Sequence, residues 1–183
     1  MPLRKASAYS KKHITPYTRK SSKSKKNYVK TVPENKITRF KMGQKSDWEK
    51  GEMKHVIKLV SGEKVQIRDN ALESARKYVL RLLTEKIPEE FYFEVKTYPH
   101  QILRENKVYS GASKGERVNT VMAQSFGSVM GRAAVVKKDK TVFLVALYSA
   151  EHRSLVNDAL SRIKSKLPCH TRILYENKEA EEK

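Results

Sequence analysis

The stretch Lys64–Tyr98, KVQIRDNALESARKYVLRLLTEKIPEEFYFEVKTY, changes its hydrophobic period twice. Around Val65 and Ile67, apolar and polar residues alternate, which is typical of a strand. Apolar residues then recur every three or four positions, which predicts a helix that ends before Pro88. From Phe91 the alternation returns and predicts a second strand. A strand, a helix and a strand in one short stretch indicate a mixed α and β fold.

The predicted helix has a start signal and one apolar face. The sequence Asn-Ala-Leu-Glu from Asn70 to Glu73 has capping-box spacing, with asparagine in place of the usual serine or threonine. The apolar face comprises Leu72, Ala75, Val79 and Leu82. We therefore expect the helix to start at this box and to bury that face.

Further strands are predicted on both sides of this stretch, by alternation or by short apolar runs. Their ranges are Lys36–Met42, Met53–Val60, Ala133–Lys137, Thr141–Leu147 and Thr171–Tyr175. The turn Ser61-Gly62-Glu63 predicts a hairpin between the strand that ends at Val60 and the strand at Lys64–Arg68.

Two more helices are predicted in the C-terminal half. A short helix covers about Arg117–Ser125, and a longer one takes Ser149 as its N-cap and ends before Pro168. The buried stripe of the longer helix consists of Leu155 or Val156, Ala159, Leu160 and Ile163.

Composition divides the chain into three parts. Residues 1–35 form a basic N-terminal extension, with ten Lys or Arg before the first carboxylate, Glu34. Such a segment buries too little apolar surface to order itself alone. Residues 36–175 are expected to form a single α/β domain with an internal loop at 99–116, and residues 176–183 a polar, acidic tail.

The net charge is the strongest bulk signal. The chain carries 39 Lys plus Arg against 20 Asp plus Glu, a formal charge of +19. A polyanion is the expected partner, nucleic acid first and an anionic membrane surface second. The longest apolar run, Val142–Tyr148, is far shorter than the ~20 residues that span a bilayer.

The sequence offers little for metal or nucleophilic chemistry. Cys169 is the only cysteine, so no intramolecular disulfide forms, which is consistent with a reducing compartment. The histidines lack ligand spacing, so neither a metal nor another cofactor is expected. An RNA-associated enzyme that uses His100, Glu105 and Cys169 is one alternative, and an architectural DNA-binding protein is another.

The N-terminal extension combines cations with hydroxyl and aromatic groups. Lys and Arg contact phosphates, hydroxyls add hydrogen bonds, and Tyr stacks on unpaired bases. Basic residues also exceed acidic ones in the rest of the chain, so a partner should contact more than the extension. Because no signature of a modular RNA-binding domain is present, this pattern favours a protein embedded in structured RNA.

Several motifs, in order along the chain, together resemble one known family. The motifs are RKASAY at Arg4–Tyr9, PYTRKS at Pro16–Ser21, KITRFKMG at Lys36–Gly43, IRDNALESAR at Ile67–Arg76, YPHQILRENK at Tyr98–Lys107, GERV at Gly115–Val118, SFGSVMGRAAVV at Ser125–Val136 and KLPCHTRI at Lys166–Ile173. With them, the chain resembles the universal large-subunit ribosomal protein family numbered sixteen in bacteria and ten-e in archaea and eukaryotes, in its archaeal form.

The resemblance implies an α+β fold, a two-layer α/β sandwich with a mostly antiparallel mixed sheet. The implied fold also includes a hammerhead-like β motif, two main helices and an extended basic N-terminal segment. The implied role is structural and not enzymatic: binding to large-subunit ribosomal RNA near the site that receives aminoacyl-tRNA. Other implied partners are the 5S RNA neighbourhood, aminoacyl-tRNA near loop 99–116 and neighbouring ribosomal proteins. The setting is the cytoplasmic ribosome, with no membrane and no homo-oligomer.

RNA contacts are expected in the extension, in the loop and in the strand that follows it. The resemblance implies contacts by Arg4, Tyr17, Arg19, Lys20, Arg104, Asn106, Lys107, Arg117 and Arg132. The basic pattern adds Lys5, Lys11, Lys12, Lys23, Lys25, Lys26 and Lys114. Two cations usual in the family are absent at Ala123 and Ser128, and Lys114 is expected to supply replacement charge.

Overall fold

The computed structural model describes residues 5, 7, 9–10, 29, 31–105 and 128–178. These ranges contain helices α1 (Lys45–Lys50), α2 (Asp69–Lys86) and α3 (Arg153–Ile163). They also contain strands β1 (Lys41–Gly43), β2 (His55–Ser61), β3 (Val65–Arg68), β4 (Phe91–Val95), β5 (Gln101–Glu105), β6 (Ser128–Val136), β7 (Thr141–Leu147) and β8 (Thr171–Asn177).

Five strands form the main sheet, in the order β1-β4-β7-β2-β8, and every pair is antiparallel. The central strand β7 is buried from Val142 to Leu147 because both of its faces are covered. On one face, α2 and α3 pack their apolar sides against it. On the other face, Trp48 of α1 stacks on Tyr92 of β4 at 5.4 Å between ring centroids.

Three strands form a second antiparallel sheet, in the order β3-β6-β5. The hairpin predicted at Ser61-Gly62-Glu63 is therefore wrong, since the turn carries the chain from β2 in one sheet to β3 in the other. Ser61 bonds instead to the β6–β7 turn, where it donates to the carbonyl of Lys140 and accepts from the amide of Asp139.

Helix α2 confirms the predicted helix but not its capping box. The helix starts at Asp69, and its N-cap residue Arg68 makes no side-chain cap hydrogen bond. Glu73 bonds to Arg76 instead of reaching back to the helix start. The helix ends at Lys86, before Pro88, and Leu83 rather than Leu82 is buried.

Other boundaries differ because tertiary partners decide them. Only the end of the predicted Lys36–Met42 strand pairs, as β1, and the Phe91–Tyr98 strand stops at Val95. The long C-terminal helix starts at Arg153, where His152 is the N-cap, and not after Ser149. The short helix predicted at Arg117–Ser125 lies outside the described residues.

The α+β class is confirmed, with helices packed on antiparallel sheets. The buried stripe predicted for the last helix is confirmed at Val156, Ala159, Leu160 and Ile163. In the part of the chain that the structure describes, no helix combines the length and apolar character needed to cross a membrane.

Candidate nucleic-acid interface

Three of the predicted RNA-contact residues, Lys5, Arg104 and Arg132, lie in the described ranges. The others fall outside them: Arg4, Lys11, Lys12, Tyr17, Arg19, Lys20, Lys23, Lys25, Lys26, Asn106, Lys107, Lys114 and Arg117. The structure therefore gives the surroundings of Lys5, Arg104 and Arg132.

Arg132 lies in β6 and links two segments that are distant in sequence. Its Nε donates to the carbonyl of Pro33 at 2.6 Å, and one terminal nitrogen donates to the hydroxyl of Tyr98 at 3.3 Å. Pro33 lies where the N-terminal extension enters the folded body, and Tyr98 lies just before β5 and the internal loop. One guanidinium thus fixes the origins of both basic segments next to each other.

The chain after Pro33 is held against the body by further contacts. The amide of Lys36 donates to the buried carboxylate of Asp69 at 3.4 Å, and Ile37 is buried in the core. The same segment places half-buried Phe40 against the core and beside Tyr98, where the two rings stack with centroids 5.2 Å apart.

Tyr98, Phe40 and His100 form one aromatic surface beside Arg132. The ring of His100 lies against that of Tyr98, with centroids 4.4 Å apart. Tyr98 is 42% exposed, and His100 is also exposed. A tight turn at Pro99 brings the two rings together, because the amide of His100 donates to the carbonyl of Tyr98 at 3.1 Å. We call these four residues the Tyr98 platform.

The loop predicted at 99–116 is wrong in its first part, because Gln101–Glu105 forms β5 and pairs with β6. The chain leaves this sheet after Glu105 and returns to it at Ser128. Glu105 at the end of β5 is the register partner of Ser128 at the start of β6, so residues 106–127 connect two adjacent antiparallel strands. Ile102 pairs with Arg132, and Arg104 pairs with Val129 beyond a β-bulge that follows Leu103. The two predicted arginines therefore lie on neighbouring strands.

Lys5 lies elsewhere, on the free edge of β3. Its carbonyl accepts from Arg68 at 2.8 Å, and Gln66 bonds to the carbonyls of Tyr9 and Ser10. The backbone near Lys5 is therefore attached to the second sheet, while its own side chain is exposed. An exposed ammonium at this edge is free to meet a phosphate.

The platform has chemical groups suited to two kinds of contact with nucleic acid. Exposed aromatic faces stack on unpaired bases, at about 1–3 kcal/mol per base. The nearby arginines bring positive charge for phosphates. The sequence analysis did not single out Tyr98 or His100, because the turn at Pro99 that brings their rings together is visible only in the structure.

The residues considered for an enzyme do not assemble into a catalytic site in the described ranges. Burial raises the pKa of the Cys169 thiol, which lowers the fraction of reactive thiolate. Cys169 lines a groove with Glu63 and His170, whereas His100 belongs to the Tyr98 platform. No group of three His, Cys, Asp or Glu residues suited to a metal ion occurs among the residues described.

Comparison with known proteins gives a consistent match over most of the chain. The sequence model of the family described as "Ribosomal protein L16p/L10e" matches residues 16–174. The chain is 37% identical over 179 residues to "Large ribosomal subunit protein uL16" of Pyrobaculum calidifontis, covering 97% of this chain and 96% of that protein. It is 38% identical over 177 residues to the protein of the same name from Thermofilum pendens, covering 96% and 98%. With that of Sulfolobus acidocaldarius, it shares 36% identity over 175 residues, covering 94% and 93%.

Proposed function

The chain belongs to the ribosomal protein L16p/L10e family, and from this premise we propose that it binds large-subunit ribosomal RNA through the Tyr98 platform and the basic segments that start there. It is a structural protein of the large ribosomal subunit, and its place of action is the cytoplasmic ribosome. The bound RNA lies near the site that receives aminoacyl-tRNA, and the part of the predicted loop that follows β5 extends toward that tRNA. The 5S RNA neighbourhood and adjacent ribosomal proteins are its further partners.

The double contact of Arg132 with Pro33 and Tyr98 carries this proposal. Because that contact holds the end of the N-terminal extension beside the start of the loop stem, one RNA surface can meet both. The net charge of +19 favours association with a polyanion. The exposed rings of the platform add contacts that favour unpaired bases over duplex DNA.

The individual contacts divide by chemistry. The aromatic groups Tyr17, Tyr98 and His100 stack on bases. The cations contact phosphates: Arg4, Lys5, Lys11, Lys12, Arg19, Lys20, Lys23, Lys25, Lys26, Arg104, Lys107, Lys114 and Arg117. Asn106 adds hydrogen bonds. Two donors of Arg132 are engaged within the protein. Arg132 therefore positions the two segments and contacts RNA through its remaining donors.

Two measurements test the proposal. The tagged full-length chain is expected to co-sediment with large subunits at moderate salt, and sedimentation free of RNA would refute the ribosomal role. In salt-matched competition, the chain should prefer large-subunit RNA to duplex DNA. Equal affinity for both would instead support the architectural DNA-binding alternative.

A further inference from the structure

A cluster of cations lies at one end of the second sheet, away from the Tyr98 platform. Lys137, Lys138 and Lys140 form the turn between β6 and β7, and all are exposed. Their turn begins five residues beyond Arg132 along the chain, which corresponds to roughly 16 Å for an extended strand. It is therefore a separate surface of the molecule.

Two more cations join this turn from other parts of the chain. Lys64 precedes Val65, whose register partner is Val136, so Lys64 lies across from Lys137. Arg172 follows Thr171, whose register partner Ser61 bonds to the turn. We call Lys64, Lys137, Lys138, Lys140 and Arg172 the basic end.

The carboxylates near the basic end are already engaged. Asp139, at the tip of the turn, forms an ion pair with Arg172. Glu63 accepts a hydrogen bond from the backbone amide of His170 at 3.1 Å. The three lysines of the turn form no ion pair with any carboxylate of the described ranges, unlike Lys45, which pairs with Glu49. Their charges are therefore available to an external anion.

The backbone that carries these lysines is fixed in place. The amide of Asp139 donates to the carbonyl of buried Ser61 at 2.8 Å, and the amide of Ser61 donates to the carbonyl of Lys140 at 3.0 Å. The neighbouring Gly62 donates to the carbonyl of His170 at 2.8 Å. A turn held in this way presents its cations without first having to order its backbone, which favours binding.

We propose that the basic end is a second RNA-contact surface, which binds phosphates of the large-subunit RNA independently of the Tyr98 platform. This inference rests on the proposed function, because the polyanion is the same RNA. Exposed lysines without aromatic neighbours suit the backbone of a folded RNA helix rather than unpaired bases. The two surfaces together orient the protein on RNA at two separate points.

The test compares two triple variants of the full-length chain that lose the same charge. The first carries Lys137→Gln, Lys138→Gln and Lys140→Gln. The control carries Lys45→Gln, Lys50→Gln and Lys77→Gln, whose cations already pair with carboxylates. Affinity for large-subunit RNA is measured across a range of salt, and thermal unfolding verifies that both variants are folded. A contact with a phosphate contributes about 0.7–0.9 to the slope of log affinity against log salt.

The turn variant should lower that slope by about 2 to 3, and the control by less than about 1. Equal slopes for the two variants, with wild type still preferring large-subunit RNA, would overturn the second surface alone. A wild-type chain without that preference would overturn the proposed function itself.

A single substitution at the basic end should instead raise the affinity for RNA. Asp139→Asn removes the tip carboxylate and releases Arg172, and asparagine tolerates the positive φ of 61° at this position. RNA affinity should rise, whereas Asp158→Asn on α3 should leave it unchanged. A fall in affinity, or an equal rise for both variants, would contradict the proposal.

Discussion

Replacing Arg76 by methionine should destabilise the protein far more than the same replacement at Arg81 in the same helix. The guanidinium of Arg76 binds both carboxylate oxygens of Glu73, at 2.7 and 2.6 Å. It also reaches the sulfur of Met42 and the hydroxyl of Thr38, on either side of Phe40. The side chains of Arg76 and Glu73 are only 6% and 10% exposed. This pair therefore joins α2 to the segment that carries part of the Tyr98 platform.

The magnitude follows from burial. Removing Arg76 leaves the buried carboxylate of Glu73 with only the exposed ammonium of Lys77, 3.7 Å away, so the cost should approach that of a broken buried pair, about 3–5 kcal/mol. For a chain of this size, that loss lowers the melting temperature by roughly 6–20 °C. Arg81 pairs with Glu85 on the surface, where its side chain is 78% exposed, so Arg81→Met should cost less than about 1 kcal/mol.

Chemical denaturation of the two full-length variants measures the difference. A second variant, Glu73→Leu with Arg76→Met, removes both charges and should recover at least half of the loss, because no unpaired charge remains. If Arg76→Met is no more destabilising than Arg81→Met, the ion pair of Arg76 with Glu73 does not stabilise the fold as its geometry indicates.

The stability of the protein as a function of pH tests the same ion pair independently. Burial alone would raise the pKa of Glu73, but Arg76 and Lys77 hold it below its ordinary value of 4.5. The stabilisation is therefore complete above about pH 4.5 and is lost as pH falls through the lowered pKa. In Arg76→Met, burial should dominate and raise the pKa of Glu73, so stability should increase as pH falls toward that value. Parallel pH profiles for wild type and variant would refute this.

Three further outcomes are expected. Tyr98→Ala should weaken binding to large-subunit RNA by about 5- to 150-fold, corresponding to one stacked base. Tyr98→Phe keeps the ring and loses only the hydroxyl that accepts from Arg132, so its loss of affinity should be clearly smaller; equal losses would exclude stacking. Gly51→Ala should cost about 1–2 kcal/mol for its φ of 84°, with no atom within 4 Å of the added Cβ. Gly43→Ala should cost at least about 1 kcal/mol more, because its Cβ would lie 2.1 Å from the carbonyl oxygen of Phe91; equal free energies of unfolding would contradict this. Alkylation of Cys169 at neutral pH should be severalfold slower in the folded than in the unfolded chain, since burial raises the pKa of the thiol; equal rates would show an accessible thiolate.

The sequence predicted best those elements whose signal is local. The apolar run of β7 gave its exact bounds, Thr141–Leu147, because a strand covered on both faces needs apolar residues throughout. The stop of α2 before Pro88 was also predictable, since proline cannot continue a helix.

Local sequence patterns could not predict the elements that depend on partners distant in the chain. A Ser-Gly-Glu turn has the same composition whether it joins paired strands or passes between two sheets, so the hairpin at Ser61 was mispredicted. The capping box failed for a related reason. Glu73 has the spacing of a cap from Asn70, but Arg76 lies one turn later on the buried side and binds it instead.

The candidate site was predictable only in part. Arg104 and Arg132 followed from the family resemblance, and the structure brings them onto neighbouring strands. The stacking of Phe40 on Tyr98 joins residues 58 positions apart and has no sequence signal. The basic end was missed for the same reason, because β3, the β6–β7 turn and β8 each contribute part of it.

Site-specific RNA crosslinking from position 98 tests the central claim most directly. A photoreactive amino acid replaces Tyr98 in the full-length chain, and a control places it at Glu85, an exposed position on α2. In assembled large subunits, position 98 should crosslink to large-subunit RNA near the site that receives aminoacyl-tRNA, and position 85 should give a much lower yield. If position 98 yields no RNA crosslink in assembled particles, or yields only protein crosslinks, the Tyr98 platform does not bind RNA.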